Sequence, residues 1–272
     1  MIFDLHVHTT YSDGLLTPNE VIDLAVKKGI DGIAITDHDT ILGIEPAIQY
    51  SKRIDGIFII PGIELGCVYG DEDIHILGYF IDYKSPDIIY ETNRLKDDRI
   101  LRGLKMIDKI NALGMKLDPL EVKSLAKNDY IGRPHIARAL VKRGYVDSVQ
   151  EAFEMYLNRG KQAFVERHTL SVKESIDLIH RLKGIAVLAH PGLLKNKKAI
   201  EYCIEKGIDG LEAIHSKHTK DNVKNILDIG NKHNLIITGG SDCHGEIING
   251  EYLLGKYYIN IDHISNMKGR IK

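Results

Sequence analysis

Histidines and carboxylates are the residues of this chain whose spacing points to chemistry. His6 and His8 lie two residues apart on a predicted strand, so both imidazoles project from one face and can reach one metal ion. Asp13 follows five residues after His8. Further nitrogen and oxygen donors lie in or after later predicted strands: His38, Glu64, His75, His190, Asp242 and His244. Imidazole and carboxylate ligands without thiolates are typical of hydrolytic sites that hold manganese, iron or zinc.

The other histidines provide a contrast. A single histidine near a strand end is more often a hydrogen-bonded structural residue than a ligand, and only the recurrence at successive strands reverses that expectation. The sequence leaves the role of His215 undecided. Four histidines lie in predicted helices or loops without a ligand partner nearby in sequence, and we interpret them as structural: His168, His180, His233 and His263.

Three similar units position several of the donors. The units are residues 21–39, 175–192 and 200–218. Each begins with a segment of helical apolar spacing that ends at Gly, continues with a short apolar run and ends with polar residues. Further strands are predicted at Ile2 to Val7, at 57–65, at Ile74 to Ile81, in LIITGGSD and in YYINI. This alternation predicts an α/β fold with a mainly parallel sheet, open or closed into a barrel. Barrels of this type carry their chemistry at the carboxyl ends of the strands.

Between residues 89 and 168 the pattern changes to helices without intervening strands. We call this segment the cap. It holds 16 Lys and Arg against 11 Asp and Glu, a net charge of +5, which leaves −7 for the remainder. We therefore predict a barrel domain formed by residues 1–88 and 169–272 and an inserted helical cap subdomain at 89–168. Solvated helix faces would explain the basic charge equally well, unless the cap overhangs a site for anions.

Composition excludes several classes of protein. A chain with 43% hydrophobic and 27% charged residues is not of the disordered, collagen-like or coiled-coil type. Its apolar runs are far shorter than the roughly 20 residues that a membrane span needs. The amino terminus does not resemble a secretory signal, and the spacing of three cysteines fits neither a disulfide framework nor a thiolate zinc site. We expect a cytoplasmic protein with no membrane partner, and no protein partner is evident.

Seven motifs together resemble the polymerase and histidinol phosphatase (PHP) family of metal-dependent phosphoesterases. They are DLHVHTTYSDG, GIDGIAITDHDT, PGIEL, HILGY, GRPHIA, VLAHPG and GSDCHG, and they cover nearly the whole chain in the family's order. The resemblance extends to the stand-alone members that hydrolyse nucleoside 3',5'-bisphosphates and trim short oligonucleotides from the 5' end. Those members carry a helical insertion with an Arg-Pro-His segment, unlike the histidinol phosphatase branch.

The resemblance implies a distorted (βα)7 barrel with three divalent metal ions, with manganese as the expected metal and iron or zinc as alternatives. The implied ligands are His6, His8, Glu64 and Asp242 for one ion, Asp13, His38 and His244 for a second, and Glu64, His75 and His190 for a third. Glu64 would bridge two ions. The same resemblance marks Arg133, His135 and His218 as phosphate-binding catalytic residues. Cys243 stands where the family often has an aromatic residue, and we expect it to pack or line the site rather than act as a nucleophile.

These features together predict an enzyme. Three divalent ions would outweigh three carboxylates in charge, favour a phosphate and lower the pKa of water toward neutrality. We expect a phosphoesterase that removes the 3'-phosphate of nucleoside 3',5'-bisphosphates such as pAp and degrades short 5'-phosphorylated oligonucleotides from the 5' end. One alternative is histidinol-phosphate phosphatase, which the basic insertion disfavours. Another is a non-catalytic nucleotide-binding or polymerase-associated module, for which lost ligands would be the signature, and none of the nine is lost.

Overall fold

Strands and helices alternate along the chain as the sequence predicts. The computed structural model describes residues 1–125, 131–166 and 169–269, so His168 lies outside the described residues. The strands are β1 (Ile2–Val7), β2 (Gly32–Ile35), β3 (Phe58–Tyr69), β4 (Glu72–Tyr79), β5 (Leu170–Ser171), β6 (Ile185–Leu188), β7 (Gly210–His215), β8 (Ile236–Gly240), β9 (Ile247–Ile248), β10 (Glu251–Tyr252) and β11 (Ile259–Asn260). The α-helices are α1 (Pro18–Lys27), α2 (Ile44–Ser51), α3 (Pro86–Ala112), α4 (Pro119–Leu125), α5 (Arg133–Lys142), α6 (Val149–Ala152), α7 (Val172–Arg181), α8 (Lys198–Glu205), α9 (Lys220–Lys232) and α10 (Ile261–Lys268).

Seven strands form a sheet that curls into a nearly closed barrel. Their order is β1-β2-β3-β4-β6-β7-β8, and β11 adds an antiparallel edge beside β1. The two ends of the sheet approach each other where Val7 bridges Cys243. A Cβ atom at Gly240 would lie 2.4 Å from the backbone nitrogen of His6, so a glycine is needed for β8 to come this close to β1. The predicted distorted (βα)7 barrel is confirmed.

One strand departs from the parallel pattern. β4 runs antiparallel to both β3 and β6, and it begins at Glu72 rather than at the predicted Ile74. The reason is local, because a turn at Gly70 and Asp71 joins β3 directly to β4, and Gly70 supplies a φ of +61°. A connection this short can form only an antiparallel pair. The beginning of β4 therefore lies at the same end of the barrel as the carboxyl ends of its parallel neighbours.

Two clusters of buried apolar side chains hold the barrel. The larger cluster includes helix residues such as Ile22 and Ile176, which pack α1 and α7 against the sheet. The smaller cluster joins strand residues from around the whole sheet, such as Leu5 and Tyr79, with Met267 of α10. Because it connects strands on opposite sides, it fills the barrel interior. The predicted donor residues lie instead at the open end of the barrel, which we call the mouth.

The cap contains α3, α4, α5, α6 and a π-helical turn at Phe153–Leu157, and α3 already begins at Pro86. Its buried apolar residues between Met106 and Ala163 form a third cluster, separate from the two barrel clusters. The division into a barrel domain and a cap subdomain stays a prediction. Throughout the described ranges, no helix has the length and apolar character that a bilayer crossing requires.

A buried ion pair fastens the cap to the barrel. The Arg99 guanidinium of α3 donates through Nε to Asp39 Oδ2 at 2.6 Å, and a second guanidinium nitrogen contacts the same oxygen. The other carboxylate oxygen of Asp39 accepts from the backbone N–H of Gly66 in β3 at 2.9 Å. Both charged side chains are largely removed from water. Loss of one partner would leave the other charge buried with weaker compensation.

We therefore expect Arg99→Met to lower the free energy of unfolding by about 3 kcal/mol, as is typical when one member of a buried ion pair is removed. Arg94→Met on the same helix is the matched control, because Arg94 pairs with Glu91 at the surface, where such pairs contribute less than about 1 kcal/mol. Urea unfolding followed by circular dichroism measures both. Equal, small losses in the two variants would show that the Arg99 pair does not anchor the cap.

Candidate metal centre

The mouth brings the nine predicted donors together in three adjoining groups. In the first group the facing atoms are His6 Nε2, His8 Nε2, Glu64 Oε2 and Asp242 Oδ1. Each imidazole nitrogen lies 3.2–3.5 Å from each carboxylate oxygen. His6 and His8 come from β1, whereas Asp242 comes from the segment after β8, so closure of the barrel between these strands assembles the group.

The second group is centred on Asp13 in the loop after β1. Its carboxylate lies 3.4 Å from His244 Nε2, 3.8 Å from His38 Nε2 and 3.7 Å from His8 Nδ1. These four residues place donor atoms within 4.8 Å of one another. The structure thus brings together Asp13, His38 and His244, the group that the family resemblance implies, with His8 as an additional neighbour.

The third group surrounds the other oxygen of Glu64. Oε1 lies 2.8 Å from His75 Nδ1 and 3.3 Å from His190 Nε2. The prediction that the strand of Glu64 ends at residue 65 is wrong, whereas His75 lies within a strand as predicted. β3 continues past Glu64 to Tyr69, because it leaves its pairing with β2 and pairs with β4, and His75 is the fourth residue of the antiparallel β4.

The donor geometry fits metal ions better than a hydrogen-bonded network. Several buried atoms lack an aligned hydrogen-bond partner among the described residues, although opposite atoms lie close: His6 Nε2, both ring nitrogens of His8, His38 Nδ1, Glu64 Oε2 and His75 Nδ1. Unsatisfied buried polar atoms are costly. Ligands held about 2.0–2.2 Å from a common ion lie about 3.0–3.5 Å apart, which is the separation within the first group. The residues present therefore suit divalent cations.

Outer partners fix which ring nitrogen faces the centre. His6 Nδ1 donates to Glu212 Oε1 at 2.9 Å, which directs the Nε2 lone pair toward Glu64 and Asp242. His244 Nδ1 donates to the carbonyl of Asp242 at 3.0 Å, so its Nε2 faces Asp13. A hydrogen bond at the far nitrogen sets the tautomer and orientation of ligating histidines in known metal sites. The two imidazoles are thus oriented by the protein itself.

Two of the predicted donors also hold uncommon backbone conformations. His190 has a φ of +31° and Asp242 a φ of +54°, both in the left-handed region that L-residues seldom adopt. The backbone N–H of His190 donates to Glu212 Oε2 at 2.8 Å. Such conformations persist where surrounding contacts enforce them, and they concentrate at functional sites.

The electrostatics of the centre favour positive charge. Burial opposes protonation of His8, but the carboxylates of Asp242 and Glu64 outweigh it and raise the pKa of His8 to about 10. Burial lowers the pKa of His38 to about 4 despite the nearby Glu64 and Asp13, so this imidazole is neutral at pH 7, the form that binds metals. A group of carboxylates that draws protons onto a buried histidine also attracts divalent cations.

Sequence reasoning missed Glu212 and left His215 undecided. Both lie on β7, both are buried, and His215 Nε2 lies 3.4 Å from Asp242 Oδ2. Residues three apart on a regular strand project from opposite faces. The irregularity in the β7–β8 register between Glu212 and Ile214 allows both Glu212 and His215 to reach the centre. The available signal was a carboxylate inside the otherwise apolar run GLEAI.

Helix α5 of the cap crosses the mouth. At its beginning Arg133 donates to Asp73 Oδ2 at 2.9 Å, and further along Arg138 donates to the backbone carbonyl of Asp13 at 3.0 Å. His135 is buried, its Nδ1 accepts from the Gly132 N–H at 3.0 Å, and burial lowers its pKa to about 4. Neutral His135 therefore carries its proton on Nε2. The basic helix overhangs the centre, as the charge of the cap suggested.

The remaining predicted residues differ in placement. His218 lies beside the centre, but Nδ1 donates to the Ala213 carbonyl at 2.8 Å and Nε2 accepts from the Gly192 N–H at 3.1 Å. Both ring nitrogens thus tie the loop after His190 to β7, and a role in phosphate binding stays a prediction. His180 pairs with Asp209 at 2.7 Å, away from the centre. Cys243 is buried, and burial raises the pKa of its thiol, as expected of a packing residue.

Comparisons with known proteins agree with this geometry. The family model of the PHP domain matches residues 4–197. An Escherichia coli protein named 5'-3' exoribonuclease Rnm is 32% identical over 90% of this chain and 85% of its own length. A Chromobacterium violaceum protein named 3',5'-nucleoside bisphosphate phosphatase is 32% identical over 89% of this chain and 86% of its length. A crystal structure from Bifidobacterium adolescentis, described as a metal-dependent phosphoesterase, aligns with a TM-score of 0.89 at 29% identity, covering 98% of this chain and 96% of that one.

The two oxygens of Glu64 face different groups, so removal of its charge should affect two groups together. We expect Glu64→Gln to lower the bound metal by more than one ion per chain, whereas His75→Ala should lower it by about one. Elemental analysis after dialysis gives the metal content, and circular dichroism confirms that the barrel is folded. A full metal complement in Glu64→Gln would contradict the shared position of this carboxylate.

Proposed function

The chain belongs to the PHP family of metal-dependent phosphoesterases, and on this basis we propose that its mouth hydrolyses nucleotide phosphate esters. The substrates are nucleoside 3',5'-bisphosphates, which lose the 3'-phosphate, and short 5'-phosphorylated oligonucleotides, which are degraded from the 5' end. The observation that carries the proposal is the convergence of nine buried or half-buried donors beneath the basic helix α5.

We assign the donors to three divalent ions. His6, His8, Glu64 and Asp242 hold the first, Asp13, His38 and His244 the second, and Glu64, His75 and His190 the third. Manganese suits this set, and iron or zinc would be accommodated by the same ligand types. When bound, such ions supply positive charge that stabilises a phosphate and makes water acidic enough to act as a nucleophile near neutral pH.

The chain's own residues orient the substrate. The Arg133 guanidinium at the rim presents paired N–H groups that match phosphate oxygens. Neutral His135 supplies an uncharged Nε2–H donor within α5. Glu212 keeps His6 in its orientation by accepting the Nδ1 proton, and His218 holds the loop that carries His190. The apolar cluster of the barrel interior closes the centre on the side away from the mouth and excludes water there.

Both activities break the bond between the 3' oxygen of a nucleotide and the phosphorus attached to it. A nucleoside 3',5'-bisphosphate and the first residue of a 5'-phosphorylated oligonucleotide both carry a free phosphate at the 5' end and an ester at the 3' oxygen. The phosphate beyond that 3' oxygen is a monoester in the first case and a diester in the second. One site that recognises the 5'-phosphate and hydrolyses at the 3' side accounts for both.

A product screen tests the function. We expect the manganese-loaded protein to release phosphate from pAp and mononucleotides from 5'-phosphorylated oligonucleotides, with little turnover of histidinol phosphate. Chelation should abolish these activities because the donors cannot hold the substrate phosphate without cations, and Mn²⁺ should restore them. Full activity in a verified metal-free preparation, or preference for histidinol phosphate, would reject the proposal.

Arg133 tests recognition of the second phosphate. Arg133→Ala should lower kcat/KM for pAp by a factor on the order of ten or more, as expected when a charge-assisted hydrogen bond is lost. A generic phosphomonoester should lose less. The control is Arg143→Ala, which removes an exposed arginine at the far end of α5 that pairs with Glu121. If both substrates lost activity equally in Arg133→Ala, this arginine would serve the reacting phosphate or the fold.

A further inference from the structure

A polar cleft opens beside the metal centre. It has a volume of about 720 Å³ and lies between the β3–β4 turn and the cap. Two of its lining residues are the arginines Arg133, at the start of α5, and Arg159, which follows the π-helical turn. The barrel contributes the acidic residues Asp71, Glu72 and Asp73 and the basic Lys195. The cleft therefore brings two guanidinium groups of the cap next to carboxylates of the barrel.

Asp73 stands between the two arginines. Its Oδ2 accepts from Arg133 at 2.9 Å, and its Oδ1 lies 3.9 Å from a terminal nitrogen of Arg159. Arg159 also pairs with the exposed Glu166. Its buried Nε has no hydrogen-bond partner among the described residues. The two guanidinium groups thus share one carboxylate and retain an unused donor, so an anion with more acceptor oxygens would be bound better than the carboxylate.

The position of Asp73 on β4 places the cleft close to the metal centre. Asp73 and His75 are two residues apart on β4, so their side chains project from the same face, with Cα atoms about 6.6 Å apart. His75 Nδ1 contacts Glu64 in the metal centre. One ribose with a phosphate at each end can bridge such a separation. A nucleotide whose 3'-phosphate lies at the centre would therefore place its 5'-phosphate near Arg133 and Arg159.

We propose that Asp73 is an internal competitor for the substrate's 5'-phosphate, occupying the space between Arg133 and Arg159 until a nucleotide displaces it. The inference rests on the proposed function and extends it to product release. Hydrolysis of the 3'-phosphate leaves a nucleoside 5'-monophosphate, which would keep its hold on the arginines. Return of the half-exposed Asp73 carboxylate to these groups expels that product. Asp73 lowers the affinity for substrate and product alike. The product therefore dissociates faster, and the site is free for the next turnover.

The test compares Asp73→Asn with Asp71→Asn. Both substitutions remove one negative charge from the same cleft, but within the described part of the chain Asp71 forms no ion pair with either arginine. Binding of a nucleoside 5'-monophosphate to the chelated protein, measured by equilibrium dialysis, reports on the cleft without turnover. We expect Asp73→Asn to bind it about fivefold more tightly than the wild type, and Asp71→Asn to change binding by less than about twofold.

Kinetics on the manganese-loaded protein complete the test. In Asp73→Asn, the KM for a nucleoside 3',5'-bisphosphate and the inhibition constant of the 5'-monophosphate product should both fall, whereas the KM for a nucleoside 3'-monophosphate should not change. Weaker binding of the 5'-monophosphate would show that Asp73 only orients the arginines, and equal tightening in both variants would show a general charge effect. Either result overturns the inference. Absence of bisphosphate turnover in the wild type would instead reject the proposed function. The dialysis experiment needs no turnover, so its result would still test the role of Asp73.

Discussion

Mutual repulsion among buried carboxylates is the constraint on which this structure depends. Asp13, Glu64, Glu212 and Asp242 gather at one end of a barrel, where water cannot screen them. Histidines separate them and absorb part of their charge, and divalent cations would complete the compensation. This arrangement requires strands to approach closely, which explains the glycine at position 240 and the left-handed backbone at His190 and Asp242.

A further layer of buried carboxylates keeps the loops of the predicted donors in place. Asp37 accepts hydrogen bonds from the backbone and hydroxyl of Thr9 at 2.7 Å and from the Ser12 hydroxyl at 2.6 Å, which shapes the loop that leads to Asp13. Asp4 accepts from the backbone N–H of Ser241 at 2.8 Å, next to Asp242. Neither carboxylate belongs to the donor set. Their role is to convert flexible loop backbone into a fixed frame, so that little reorganisation is needed when a cation binds.

Much of the barrel and most of the donor set could be predicted from sequence, because those residues sit in short motifs beside apolar runs of clear periodicity. His6 and His8 illustrate this, since their spacing alone gives a shared face. The antiparallel course of β4 was missed because an apolar run does not reveal its direction. Glu212 escaped notice because its partner, His6, is 206 residues away. The approach of both Glu212 and His215 to the centre depends on a register irregularity in β7, which no local sequence pattern indicates.

The β3–β4 hairpin unites several functions in one ladder. It carries Glu64 and His75 at the metal centre and Asp73 at the adjoining cleft, all fixed by the pairing of Tyr69 with Glu72 next to a two-residue turn. Because side chains alternate across a strand, a slip of one residue would turn His75 away and bring Ile74 or Ile76 into its place. The length of the ladder from Glu64 to His75 is therefore constrained, and so is Gly70 with its positive φ, whereas Asp71 at the tip is not one of the nine donors. An exchange at Asp71 can change the lining of the cleft and leave the donors in place, whereas one residue inserted between Glu72 and His75 would turn His75 out of the candidate metal centre.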